Sequence, residues 1–269
     1  MKRVWFAALA LAIVCSFLSV RGINAQGGRG GSAQPAAAPA RSWYSISIYT
    51  VKLDRARDFV DFMKTQTIPM QQKGGIKYRD TWQGGAPFGD AGTYAVVTLM
   101  NNFAEYDMPN LPTRTFGADG GRAYGDKLNA MITARRTFAI QDRAELSIEP
   151  KANAKFVGAV LQDVTIVSGH GEQYEAYIKN DVLPVLKRAQ NFAGFAVART
   201  VFGGNVNEYH TLTYLNSFAE IDKGPAQTQV LGQAGAAALV LKGSAHIANI
   251  ERTILRYVPD LSFRAKPIS

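Results

Sequence analysis

The chemistry open to this sequence is bounded first by its histidines and its cysteine. There are three histidines, His170, His210 and His246, and one cysteine, Cys15. His210 is the best placed for proton transfer. It lies in Glu208-Tyr209-His210-Thr211-Leu212, a run that reads as a strand, and by period two its side chain shares a face with Leu212 and Tyr214. A titratable ring on a buried sheet face could act as a general base or ligate a haem iron. A hydrogen-bonded core histidine is the plainer account. His170, in Ser168-Gly169-His170-Gly171, reads as an exposed turn residue, and His246 as a partly buried structural one. The three are dispersed, with no H-x-x-E or H-x-H spacing, so no metal site is expected.

Polar residues on strand-like runs form a second set. Asp163 falls within FVGAVLQDVTIV, where a buried carboxylate needs a partner or a raised pKa. Arg199 and Arg252 end or occupy nearby strand patterns, and an Asp163–Arg252 pair across adjacent strands is an expectation of this reading. Tyr209, Tyr214 and Phe195 would wall a pocket around them. Catalysis is therefore assigned to His210 and Asp163, and ligand binding to Arg199, Tyr209, Tyr214 and Arg252.

Several classes fall away. No G-x-x-x-x-G-K phosphate cradle and no G-x-S-x-G nucleophile elbow occurs. The formal charge is +9, but Lys and Arg are scattered among acids rather than clustered with aromatics, which argues against a nucleic-acid partner.

The N-terminus carries Lys2 and Arg3, an apolar run from Val4 to Val20, and Ile23-Asn24-Ala25, a small-residue cleavage pattern. Residues 1–25 thus read as a secretory signal peptide. Its removal takes Cys15 with it and leaves no stable membrane anchor, so the expected location is the periplasm or the medium. Residues 26–41 (QGGRGGSAQPAAAPAR) are too poor in large apolar groups to offset their ordering entropy and read as a disordered linker.

The elements that must position the polar residues come twice. At an offset of 115, Asn101-Asn102-Phe103-Ala104-Glu105 meets Asn216-Ser217-Phe218-Ala219-Glu220. The same offset pairs Lys64 with Lys179, Pro69 with Pro184, Gly117 with Gly232 and Leu146-Ser147 with Leu261-Ser262. It sets His210 against Ala95, Asp163 against Ile48 and His246 against Met131. Gly84-Gly85 meets Gly203-Gly204 only after a local shift. Each copy, 42–150 and 151–269, reads as strand (43–51), helix (54–73), two strands (76–83 and 93–100), a helix opened by a capping box, and a last strand (135–141; 250–257 in the second copy). This is the β-α-β-β-α-β order of a ferredoxin-like unit. Ala95, Val97 and Leu99 point one way and Val96 and Met100 the other, so both sheet faces are expected to be covered. The fold class follows as α+β, two tandem ferredoxin-like repeats packed sheet to sheet.

With that order, the late-helix Asp181-Val182-Leu183-Pro184-Val185-Leu186-Lys187 and the Ser217-Phe218-Ala219-Glu220 helix start, the chain resembles the dimeric α+β barrel superfamily, which includes antibiotic-biosynthesis-monooxygenase-like and NIPSNAP-like domains. The resemblance covers 43–263, once per copy, and implies a fused dimer that needs no further oligomerisation. That superfamily holds cofactor-free oxygenases, haem-handling proteins, isomerases and plain ligand binders. The expectation is an exported small-molecule binder with a cavity inside the barrel and no cofactor. The alternatives are a cofactor-independent monooxygenase or isomerase, and a haem binder.

Overall fold

Residues 41–85, 90–150, 154–190 and 192–264 are described by a computed structural model. The expected signal peptide, and the linker apart from Arg41, lie outside the described residues.

The first strand, β1 (Trp43–Val51), alternates as its β-branched and aromatic residues require. Tyr49 and Val51 turn to one side and Ile46 and Ile48 to the other. A 3-10 turn (Leu53–Arg55) leads into α1 (Ala56–Phe62), a π-helical turn (Met63–Thr67) and α2 (Ile68–Lys73). Strands β2 (Tyr78–Gln83) and β3 (Thr93–Met100), helix α3 (Leu111–Met131) and β4 (Ile132–Asp142) complete the first half. The second half runs β5 (Gly158–Ile166), α4 (Gly171–Tyr177), a π-helical turn (Ile178–Val182), α5 (Leu183–Leu186), β6 (Phe195–Phe202), β7 (Glu208–Leu215), α6 (Ala226–Ser244) and β8 (Ile247–Tyr257), followed by a short β9 (Phe263–Arg264).

The strand order is β3-β1-β4-β6-β7-β5-β8-β2, and β2 also pairs with β3. All pairings are antiparallel, so eight strands close into one barrel with no free edge, while β9 adds beside β2. The sequence reading had the two half-sheets merely covering each other. They also join edge to edge, along β4–β6 from Ala139↔Phe202 to Asp142↔Ala198 and along β2–β8 at Trp82↔Tyr257 and Gln83↔Arg256.

The two halves share a register. Trp43 opposes Met100 and Gln141 in the first; Gly158 opposes Leu215 and Arg256 in the second. The ladder irregularities at Thr50/Val51 and Thr165/Ile166 also correspond. So do the two π turns, and the helix breaks at Gly117 (φ 77°, ψ 175°) and Gly232 (φ 71°, ψ 175°).

Apolar residues form two outer cores and one interior. Tyr49, Phe59, Phe62, Met63, Tyr94, Val96 and Leu128 pack between β1, β3 and the first-half helices. Val164, Ile166, Tyr174, Val182, Val197 and Tyr209 do the same in the second half. Inside the barrel, Ile46, Phe138 and Ile140 meet Val97 and Ala198. There too, Trp82, Ala159 and Leu255 meet Ala95, Leu212 and Tyr214. Several of these inward residues, among them Ala95, Val97, Leu161 and Leu212, are only partly buried.

The expected capping boxes open only short 3-10 turns. Ser217 Oγ accepts from Ala219 N at 3.2 Å, whereas Asn102 makes no side-chain cap. The long helix α3 begins later, capped by Asn110 Oδ1, which accepts from Thr113 N at 3.0 Å.

Candidate functional site

Two polar clusters interrupt the barrel's apolar interior, one towards each mouth. The first is where β5 and β6 end and β7 begins. Ladder pairing sets Asp163, His210 and Ala198 in one row across β5, β7 and β6, all facing inward. His210 Nδ1 stands 2.6 Å from Asp163 Oδ1, and its Nε2 stands 2.7 Å from Thr200 Oγ1. Thr200, two residues along from Ala198 and 1% exposed, also reaches Glu208 Oε2 at 3.4 Å. The imidazole packs on Phe138, ring centroids 5.5 Å apart, and the Arg136 guanidinium lies 4.9 Å from that ring's centroid.

This arrangement supports two proton placements. A neutral ring donates from Nδ1–H to Asp163 and accepts the Thr200 hydroxyl proton at Nε2. A charged ring donates at both nitrogens, and Thr200 passes a hydrogen bond to Glu208. Either way the carboxylate orients the ring, the relation a general base requires. The Asp163 side chain keeps 34% of its exposure and His210 11%, so the cluster is reached from the mouth through Asp163.

The second cluster lies where β2 and β5 begin and β8 ends. Asp80, 2% exposed, accepts from the Tyr78 hydroxyl, from Tyr257 Oη at 3.3 Å and from Arg264 Nη2 at 3.2 Å. Burial, with the Asp80 charge beside it, pushes Tyr78 far above the ordinary tyrosine range. Burial chiefly, and then Asp80, also raises Tyr257 and Tyr214. These hydroxyls stay protonated and act as donors to Asp80 or as neutral polar groups. Trp82 stacks on Phe156, centroids 5.7 Å apart, and Phe156 meets Tyr257 edge-on at 4.7 Å. Above them opens a cavity of about 580 Å³ lined by Phe156, Tyr257, Lys155, Arg256 and Arg264 among others.

The sequence-selected residues therefore divide. His210 and Asp163 come together. Arg252 does not join them: it opposes Gln162 while Asp163 opposes Glu251, so the expected Asp163–Arg252 pair is not made and Arg252 is exposed on the outer face. The error was one of parity along β8, since a one-residue difference reverses the face. Tyr209 is fully buried against the helices, its hydroxyl donating to Glu175 Oε1 at 2.7 Å, and Phe195 lies in the same outer core. Arg199 shares that outer side, its guanidinium 5.6 Å from the Tyr209 ring centroid and Nε donating to Val206 O at 2.8 Å. Tyr214 faces the interior but belongs to the cluster at the other mouth. His170, read as a lone turn residue, contacts His246.

Sequence reasoning missed Thr200, Glu208 and Asp80. Period two marks Glu208 as a face-mate of His210, and marks Asp80 as a face-mate of Trp82 in Tyr78-Arg79-Asp80-Thr81-Trp82. With Asp163 on Nδ1 and Thr200 on Nε2, a haem iron would have to displace Thr200 to reach the His210 ring. His246 lies on the outer side, at the α6–β8 junction. Among the described residues no group of three or more His, Cys, Asp or Glu could hold a metal ion, and no helix is long and apolar enough to cross a membrane.

No protein-family profile and no curated protein sequence matches the chain. Solved structures do. A candidate monooxygenase from Lactobacillus acidophilus NCFM superposes with a TM-score of 0.56 at 11% identity, over 84% of this chain and 97% of that one. A candidate monooxygenase from Fusobacterium nucleatum gives the same TM-score and identity over 82% and 94%. An anthrone oxidase-like protein gives 0.54 at 10% identity over 82% and 92%. At such identities the likeness shows the fold alone, a closed antiparallel α+β barrel.

Proposed function

We propose that this is an exported protein that binds a small organic anion carrying an aromatic ring, at the barrel mouth beside Tyr257. The observation that carries the reading is the cavity of about 580 Å³, a size ordinary for small-molecule sites. Three cations, Lys155, Arg256 and Arg264, line it with Phe156 and Tyr257. Asp80 holds Arg264 through one Nη2 contact, which orients the guanidinium and leaves its other donors for a carboxylate or sulfonate. The expected cavity lies within the barrel; the one argued from here opens at its mouth. The two halves we take to be copies of one ferredoxin-like unit, supported by their common register and common helix irregularities.

The test is a thermal-shift and tryptophan-fluorescence titration with a panel of aromatic carboxylates and sulfonates against their neutral amides. Anions should raise the melting temperature and perturb Trp82, and Arg264→Ala should weaken them about tenfold, the scale of one lost charge-assisted hydrogen bond. Equal response to acids and amides, or an unaltered Arg264→Ala, overturns the proposal. Export is tested by N-terminal sequencing of secreted material, which should begin at Gln26.

A second reading rests on the Asp163–His210–Thr200 line. His210 would take a proton from an acidic C–H once substrate displaces the Thr200 hydroxyl. Return of that proton to another carbon makes the reaction an isomerisation. At a CH₂ group, the carbanion can instead attack dioxygen. The peroxide so formed takes back the proton and loses water together with the second hydrogen of that carbon, leaving a carbonyl; the reaction is then a cofactor-independent monooxygenation. Deuterium exchange into enolisable ketones and anthrones should be catalysed, and lost in His210→Ala with the fold retained. Exchange no faster than in buffer removes this reading.

A further inference from the structure

The geometry points to a second binding site: we infer that His170 and His246 chelate a divalent transition-metal ion, Cu²⁺ most tightly, on the outer side of the barrel. Their Nδ1 atoms stand 3.3 Å apart, with ring centroids at 5.4 Å and planes at 63°. Two imidazole nitrogens at about 2.0–2.1 Å from one tetrahedral ion lie about 3.3–3.4 Å apart. The separation of the pair is therefore that of two nitrogens on one tetrahedral ion, and a square-planar Cu²⁺ would draw them to about 2.8–2.9 Å. Both residues are only part-buried, so water can complete the coordination.

Backbone contacts hold the bite in place. Val167 N donates to His246 O at 3.0 Å and His170 N donates to Val167 O at 3.0 Å, so one residue ties the two histidines together. His246 N donates to Gly243 O at 3.0 Å and Tyr174 N to His170 O at 2.9 Å. A pre-set pair loses little freedom on binding.

The fold does not require the histidines. At the corresponding junction of the first half, Lys52 N donates to Met131 O at 2.9 Å and Arg55 N to Lys52 O at 2.9 Å. The same backbone arrangement there carries Arg55 and a buried Met131 in place of His170 and His246. The second half thus bears two metal-competent side chains where the first shows that none is needed to build the junction. Imidazole suits Cu²⁺, Ni²⁺ and Zn²⁺, with Cu²⁺ first in the usual affinity order. The positive N-terminal end of α4 works against a cation, and among the described residues no third His, Cys, Asp or Glu joins the pair in a cluster. The site should therefore be weaker than a structural zinc site.

The test is a titration of the untagged protein with Cu²⁺, followed by electron paramagnetic resonance. One equivalent should bind with hyperfine coupling to two imidazole nitrogens, and excess Zn²⁺ should compete. His246→Met and His170→Arg, which copy the first half and so should fold, are expected to abolish the signal, while His210→Ala keeps it. Circular dichroism checks that each variant is folded. Absence of stoichiometric binding, or binding that survives in folded His246→Met, overturns the inference and leaves a plain imidazole–imidazole hydrogen bond.

Discussion

Asp163 and His210 directly oppose each other on β5 and β7, and Oδ1 and Nδ1 are 2.6 Å apart. The corresponding pair in the first half, Ile48 and Ala95, opposes in the same register with no polar atom in either side chain. Asp163→Ile should therefore cost about 1–3 kcal/mol, because it strands the His210 ring in a part-buried setting. The double variant Asp163→Ile/His210→Ala, which recreates the first-half pair, should recover much of that loss. Urea unfolding of the two variants checks this; a double variant no more stable than the single one would contradict it.

Alkaline stability should be set by the tyrosines. Burial raises Tyr209 and Tyr177 to about 12 and holds Tyr78, Tyr174 and Tyr214 higher still, against an ordinary value of 10.0. In the unfolded chain these groups lose their protons near 10.0, while the folded protein keeps them. Their contribution is thus complete below pH 10 and is lost as pH climbs beyond it. Tyrosinate absorbance should lag behind that of the unfolded chain and then jump as the protein unfolds. A smooth titration centred on pH 10 with the fold intact would be the contrary result.

Gly117 and Gly232 sit at positive φ near ψ 175°, a region close to exclusive to glycine, and a β-carbon added at either would meet nothing within 4 Å. Replacement by Ala should cost about 1–3 kcal/mol at each site through backbone strain alone. The two losses should be similar and additive. Calorimetry of both single variants and the double one measures this.

Arg79 is 1% exposed, and its hydrogen bonds go to neutral acceptors, Leu261 O at 2.9 Å and Gln71 Oε1 at 2.8 Å. Burial lowers its guanidinium to about 10. Thr81 Oγ1 also donates to Leu261 O, at 2.7 Å, so that carbonyl stays satisfied without the arginine. Arg79→Met should then be within about 1 kcal/mol of the parent, because removing a buried charge offsets the lost contacts. Adding Thr81→Val should cost more than the sum of the two singles, since Leu261 O is then left bare.

Most of the fold was legible because its signals are periodic. The alternation of β3 separates Ala95 and Val97 from Val96, and that of β7 separates Tyr209 from Tyr214, as observed. Edge-to-edge closure was not legible, since ladder partners between distant strands such as Trp82 and Tyr257 leave no local pattern. Within the site, His210 and Asp163 could be found because each is a polar intrusion on an inward face. Arg252, Arg199 and Tyr209 have the opposite parity to Asp163 and His210 along their strands and so lie on the outer face. The His170–His246 contact spans 76 residues and joins a turn to a strand start, which no spacing rule reaches.

The π turns at Met63–Thr67 and Ile178–Val182 carry a consequence for how the chain can vary in length. In each, an N–H reaches back five residues, Ile68 to Met63 O and Leu183 to Ile178 O, immediately before Pro69 and Pro184, which have no N–H to offer. The extra residue sets the phase between Phe59 and Phe62 upstream and Met70 downstream, all buried on one side. Deleting any one residue from this span would swing the downstream segment by about 100° and carry Met70 out of the core. Lengthening and shortening should be tolerated in hairpin loops and refused here.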